Sequence, residues 1–201
     1  MLPAVQLSSV LGSVRLTSVH GPWSRAMALR HLMRGARGTL ETFQPLWGGA
    51  ARLRGGRFTP RDSFDCIYLA WDPVTALAEV QAMAFLTGGT FAPRTPPWVL
   101  MSVDGIVGGV LDLTDAGTLT ALSTHPQEIM GPWELSADPP TQSLTRAAFD
   151  TARIAGIRYP SARHLGKGLN LVVFPDRLLA SSANWLEVHD PRGNLNQRIG
   201  T

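Results

Sequence analysis

Four side chains have both the type and the setting to do chemistry: Arg57, Tyr68, Glu79 and Ser161. Arg57 follows Gly55 and Gly56. Paired glycines let a ligand approach the backbone closely. A guanidinium fixed beside them can grip a pyrophosphate or a carboxylate through two parallel hydrogen bonds. Taken alone, the same tripeptide reads equally as a plain turn. It is neither a Rossmann nor a P-loop fingerprint, because no strand–GxGxxG–helix context and no Gly-Lys-Ser/Thr accompany it. Tyr68 stands in the apolar run Cys66-Ile67-Tyr68-Leu69-Ala70-Trp71. There its ring could stack on a flat heterocycle or simply fill the core with its hydroxyl satisfied. Glu79 borders the apolar stripe Ala76, Leu77, Val80, Met83 and Ala84, where a carboxylate is partly desolvated unless something polar faces it. It could accept a hydrogen bond from a sugar hydroxyl or stabilise a developing positive charge; the competing reading is a glutamate on a helix surface.

Ser161 lies in Tyr159-Pro160-Ser161-Ala162-Arg163-His164. A serine and a histidine three apart suggest a hydrolase, but no Gly-x-Ser-x-Gly elbow surrounds Ser161. At the end of a short strand the serine suits contact with a phosphate or an amide instead. The five histidines, His20, His31, His125, His164 and His189, are scattered without ligand spacing, so no metal is expected. Cys66 is the only cysteine, which excludes a disulfide framework and a cysteine metal site, and its apolar surroundings suit a buried thiol.

These residues need elements to hold them. Cys66–Trp71 reads as a short buried strand. Asp72-Pro73 then begins a helix, with Asp72 as N-cap and Pro73 at the first helical position, running to about Leu86 before Gly88-Gly89. Upstream, Val14–Val19 alternates as a strand, Ser24 caps a helix over Arg25–Met33, and residues 35–57 read as loop. Trp98–Val103 and Ile106–Leu113 read as strands joined by an Asp104-Gly105 hairpin. A polar, proline-rich loop spans His125–Pro140, and a helix runs from Thr141 to about Ala155, stopped by Gly156. Strands at Ile157–Tyr159, Asn170–Phe174 and Trp185–Val188 follow, and residues after Asp190 read as frayed. The pattern predicts one α+β domain, with a small mixed, largely antiparallel sheet and flanking helices. Residues 1–45 form an N-terminal extension packed on a catalytic domain over 46–190, followed by a 191–201 tail.

Composition narrows the function. With 201 residues and 44% hydrophobic side chains the chain can bury a core, and 16% charged residues argue against long solvated tracts. The net charge of +3 comes from arginine, since Lys167 is the only lysine. Arginine suits phosphate recognition, although an arginine-rich solvated surface explains the charge equally well. No helix-turn-helix, zinc spacing or RNP-like motif supports direct nucleic-acid binding. The N-terminus lacks the basic and apolar regions of a secretory signal, and no apolar stretch is long enough for a membrane span, so a cytoplasmic location is expected.

Taken together, Leu46–Pro60 with its Arg54-Gly55-Gly56-Arg57, then Ile67–Ala70 and Thr75–Glu79, resemble the RES domain family. That family is named for an Arg, a Glu and a Ser, matched here by Arg57, Glu79 and Ser161. Val110–Leu113 and Asn170–Phe174 also fit its pattern, so the resemblance covers roughly Leu46 to Pro175. It departs at Phe58-Thr59, where members commonly carry Trp-Asn, and in a longer N-terminus. The resemblance implies a fold similar to ADP-ribosyltransferases and the toxin of a bacterial toxin–antitoxin pair that consumes NAD+ by hydrolysis or phosphorolysis. It further implies that Arg57, beside Gly56, holds the dinucleotide's phosphates, that Tyr68 stacks near nicotinamide, that Glu79 meets the nicotinamide ribose, that Ser161 completes the pocket, and that Asn170 joins in binding. The implied partner is an Xre-type antitoxin with a helix-turn-helix domain; oligomeric state stays open.

The chemistry is coherent from first principles. Cleaving a glycosidic bond to an already cationic pyridinium needs little acid catalysis. It needs a held substrate and a carboxylate near an oxocarbenium-like ribose, for which one glutamate is enough. A mono-ADP-ribosyltransferase acting on a protein acceptor is the nearest alternative, and a non-catalytic nucleotide-binding module is the next.

Overall fold

The structure is a computed structural model describing residues 1–34, 42–85, 91–93, 97–164 and 168–201. Its sheet is organised by one long strand, β8 (Trp98–Asp112), which pairs with four others. The first part of β8 runs antiparallel to β2 (Trp23–Ala28), in register from Trp98 against Ala28 to Val103 against Trp23. At Asp104–Ile106 it pairs with β11 (Trp185–Val188), and beyond that with β1 (Thr17–His20). The hairpin expected at Asp104-Gly105 is therefore replaced by a continuous strand that changes partners. A Cβ on Gly105 would collide with the carbonyl oxygen of Trp185, so glycine here admits a neighbouring strand rather than turning the chain.

From β2 the sheet passes through β5 (Ile67–Ala70) and β10 (Leu169–Val173) to β9 (Gly156–Pro160), each pair antiparallel. The end of β8 then lies parallel to the start of β9, with Val110–Asp112 against Gly156–Arg158. Strands β8, β2, β5, β10 and β9 thus close into a circuit. The tail read as frayed supplies β12 (Gln197–Gly200), which pairs with β11 at the outer edge. Two short ribbons, β3 (Met33–Arg34) with β4 (Thr42–Phe43) and β6 (Met83–Phe85) with β7 (Phe91–Pro93), stand apart from this sheet. This is the α+β architecture, mixed and largely antiparallel, that the sequence predicts.

Because strand residues alternate between faces, the circuit carries two cores. Ile67, Leu69, Leu171 and Val173 point to one, with Trp23, Met27 and Val103. Tyr68, Val172, Ile157 and Tyr159 point to the other, with Phe58 and Phe174. The second core is covered by α1 (Ala4–Ser13) and α7 (Pro140–Asp150), which pack on each other. Leu7, Leu11, Leu144 and Ala148 are wholly buried there, and each leucine contributes roughly 1.5–3 kcal/mol.

Several local expectations gave way to tertiary pairing. The helix expected over Arg25–Met33 is strand β2 followed only by α2 (Leu29–Leu32), because the segment lies between β8 and β5. Residues read as loop contain α3 (Gly49–Arg54), and His125–Pro140 contains α6 (Pro126–Met130) and a 3-10 turn at Trp133–Leu135. The helix expected to run to Ala155 ends at Asp150. Two further helices, α5 (Ala116–Ala121) and α8 (Pro175–Leu179), connect strands at the surface. The helix beginning at Asp72 is α4 (Pro73–Glu79), and its early end shapes the site.

Candidate active site

Helix α4 starts as its sequence dictates. Asp72 Oδ1 accepts the Thr75 amide at 2.9 Å and Pro73 takes the first position, a cap worth about 0.5–2 kcal/mol. The helix stops at Glu79 rather than near Leu86, because the backbone turns left-handed at Gln81 (φ 55°) and proceeds into β6. Glu79 is therefore the last helical residue, where the macrodipole's negative end disfavours a carboxylate. Two donors offset this. Ser161 Oγ donates to Glu79 Oε1 at 2.6 Å, and Asn170 Nδ2 donates to the same oxygen at 2.6 Å. Hydrogen bonds to an ionised acceptor are roughly twice as strong as neutral ones. Oε1 is thus fixed by two donors, while no described residue donates to Oε2.

Ser161 is 1% exposed and uses its whole hydrogen-bonding capacity. It gives its proton to Glu79 and accepts the amides of Arg163 at 3.2 Å and His164 at 2.9 Å. A hydroxyl so committed is a positioning group and a poor nucleophile. His164, three residues on, does not meet Ser161 as a catalytic base. Its Nδ1 lies 2.8 Å from Thr75 Oγ1, which donates to Asp72 Oδ2 at 2.6 Å. The carboxylate can only accept, so the threonine proton goes to Asp72 and His164 must present Nδ1–H, leaving its Nε2 lone pair free when the ring is neutral. Burial opposes ionisation of Asp72, but the hydrogen bonds from Thr75 hold its carboxyl below the usual range. Thr75 and Glu79 are one turn apart on α4, so the chain after β9 docks at both ends of a single helical face. Gly168 lets it do so: a Cβ there would stand 2.7 Å from Thr75 Oγ1 and 2.8 Å from Ser161 Cβ.

Tyr68 organises a second part of the site. Its hydroxyl lies 2.7 Å from Thr59 Oγ1 and accepts the Phe58 amide at 3.2 Å. Burial raises its phenol well above the ordinary value. Gly56 and Thr59 bridge each other through both backbone pairs, and a Cβ on Gly56 would stand 3.0 Å from the tyrosine oxygen. Thr59 is thus a buried hydrogen-bonding residue, and with Tyr68 it holds the Gly56–Thr59 turn. Arg57, within this turn, donates from Nη1 to the carbonyls of Ile129 at 2.7 Å and Gly131 at 2.6 Å.

The structure thus brings Glu79, Ser161 and Asn170 into direct contact, while Tyr68 joins the turn that carries Gly56 and Arg57. Strand register links the two groups: Asn170 faces both Ala70 and Tyr159, and Tyr68 faces Val172, so Tyr68, Tyr159 and Asn170 share one side of the sheet. Tyr159 was read only as a strand residue. It packs its ring 4.3 Å from Phe58, and burial, then the charge of Glu79, push its phenol well up. Thr75 and Arg25 were also missed. Arg25 is 7% exposed, donates Nη2 to the Trp47 carbonyl at 2.6 Å, and has no described partner at Nη1; burial lowers its guanidinium to about 10. A lone arginine in Trp23–Ala28 was the available signal, hidden when Arg25–Met33 was read as a helix capped by Ser24.

Among the described residues, no three His, Cys, Asp or Glu side chains gather as a metal site, and no helix is long and apolar enough to cross a membrane. No curated protein matches the chain. Among solved structures, a chain in the crystal structure of the M. tuberculosis MbcT–MbcA toxin–antitoxin complex is similar, with a TM-score of 0.60 and 22% identity over 97% of this chain and 91% of that one. At that identity the likeness shows a shared fold. The RES domain profile matches residues 28–192, which include Arg57, Tyr68, Glu79, Ser161 and Asn170. The chain belongs to the RES domain family.

Proposed function

We propose that this chain is the toxin of a toxin–antitoxin pair and that it consumes NAD+ by cleaving the bond between nicotinamide and ribose. The observation that carries the reading is the Glu79 carboxylate, with Oε1 fixed by Ser161 and Asn170 and Oε2 without a described partner. Membership of the RES family and a fold shared with a chain of a toxin–antitoxin complex support it.

In this reading Glu79 Oε2 meets the nicotinamide ribose. As the C1′–N bond breaks, its electron pair returns to the pyridinium nitrogen, which leaves as neutral nicotinamide. The positive charge then resides on the ribose, where a preorganised carboxylate stabilises it most in the transition state. Ser161 and Asn170 keep that carboxylate from reorienting. Arg57, beside Gly56, holds the phosphates, and Tyr68 borders the nicotinamide. Water or inorganic phosphate takes the ribosyl carbon, no metal takes part, and the reaction draws on the cytoplasmic NAD+ pool. An Xre-type antitoxin restrains the enzyme.

Product analysis tests this. Purified protein incubated with NAD+, with and without phosphate, should release nicotinamide together with ADP-ribose or its 1′-phosphate, separated chromatographically. Glu79→Ala should lower the rate by at least about 10²-fold, the scale of losing one electrostatic stabiliser. No NAD+ consumption under either condition overturns the reading, and label from NAD+ appearing on a protein redirects it to ADP-ribosyl transfer.

A further inference from the structure

Arg57 is gripped from both ends by one stretch of chain, Pro126–Gln142. At the backbone, Thr141 Oγ1 donates to the Arg57 carbonyl at 2.6 Å and Gln142 Nε2 donates to the Gly56 carbonyl at 2.8 Å. At the tip, Nη1 donates to the carbonyls of Ile129 and Gly131. These lie at the end of α6, where carbonyls lack helical partners and carry the partial negative charge that suits a cation. From the Pro126–Gln142 contacts we propose that Thr141 and Gln142 are positioning residues that aim Arg57, leaving its Nε–Nη2 edge to grip a diphosphate.

The Gly56–Thr59 bridge closes the turn, and the bonds from Thr141 and Gln142 add a hold from outside it on a backbone whose glycines, Gly55 at φ +78° and Gly56, restrain it little by themselves. The clamp itself is firmly mounted. Thr141 is 1% exposed, its carbonyl accepts from Thr145 Oγ1 at 2.7 Å, and the same helix buries Leu144 and Ala148 in the core. The donor count then fixes the geometry. A guanidinium has five N–H groups, and the two on Nη1 are matched by two carbonyls. Among the described residues none accepts from Nε–H or from the pair on Nη2, which together form the parallel edge that meets two phosphate oxygens at once.

The proposal rests on the NAD+ reading, and its test separates the two. Thr141→Val keeps the shape and removes the donor. It should raise the KM for NAD+ about five- to tenfold, the weight of one hydrogen bond, with kcat changed less than about twofold. Thr141→Ser should restore the wild-type KM. In an Arg57→Lys background, Thr141→Val should change kcat/KM by less than about twofold, because the edge it aims is gone. An unchanged KM, no rescue by serine, or an equal loss in both backgrounds overturns the proposal. Should Thr141→Val unfold, Gln142→Leu on the less buried neighbour takes its place with the same expectations. Hydrogen exchange at the 56–58 amides supplies a readout independent of turnover. If the wild type consumes no NAD+, the functional reading falls, while faster exchange in Thr141→Val at unchanged Tm upholds the clamp and unchanged exchange refutes it.

Discussion

Glu79 ends a helix, lies at the negative end of its dipole, and keeps one oxygen free of described donors. For stability alone the charge is close to balanced there, repelled by the helix end and favoured by the bonds from Ser161 and Asn170. Glu79→Gln keeps a carbonyl oxygen for both donors while removing the charge, so a relief of about 0.3–1 kcal/mol at the helix end is set against weaker hydrogen bonds. The expected result is a Tm close to wild type with NAD+ turnover lost. A clear fall in Tm by scanning calorimetry would mean that the carboxylate serves the fold. At this scale the sequence was partly legible. Arg57, Glu79 and Ser161 stand out as polar types against apolar or glycine-rich neighbours. Their meeting does not, since Glu79 reaches partners 82 and 91 positions away and no local period encodes that distance.

The hydroxyl of Thr75 ties helix α4 to the chain that follows β9, through Asp72 on one side and His164 on the other. Thr75→Val leaves the backbone amide on Asp72 intact but deprives a half-buried carboxylate and an imidazole of their shared partner. A destabilisation of about 0.5–1.5 kcal/mol in urea titration is expected, with Thr75→Ser restoring it. Equal stability of the valine variant would remove the hydroxyl from any structural account. Elements divided sharply in legibility. The Asp72-Pro73 start and the Trp185–Val188 strand followed from cap chemistry and alternation alone. The turn signal at Asp104-Gly105 misled, because the glycine answers to a strand 80 residues away, and Arg25–Ala28 has helix-favouring residues in a position only sheet pairing can define. Both failures share a cause: local preference is worth tenths of a kcal/mol per residue, and pairing inside a sheet outweighs it.

Across the whole molecule four carboxyls among the described residues are held below the ordinary range, Asp72, Asp112, Glu128 and Asp190, and acid should act in part through the first two. Burial alone would raise both carboxyls, but hydrogen bonds from Thr75 to Asp72, and from Arg158 and Thr114 to Asp112, hold them below the ordinary carboxylate range. A depressed folded-state pKa means that the unfolded chain binds protons first. The stabilisation is complete above the unfolded value and is lost as pH falls through the folded one. Stability measured from pH 6 down to pH 2 should therefore decline below about pH 4, and Asp112→Asn should flatten part of that decline. An identical pH profile in the variant would dismiss the Asp112–Arg158 pair as a contributor.

That pair spans β8 and β9 at the point where the circuit of strands closes. A ring has no seam. Tyr159 and Asn170 sit on neighbouring staves, with Ala70, just ahead of the helix that carries Glu79, on the next. Strands β5, β10 and β9 are joined to one another over four and five residue pairs, so the face that meets Glu79 through Asn170 parts less readily than the β2–β5 link.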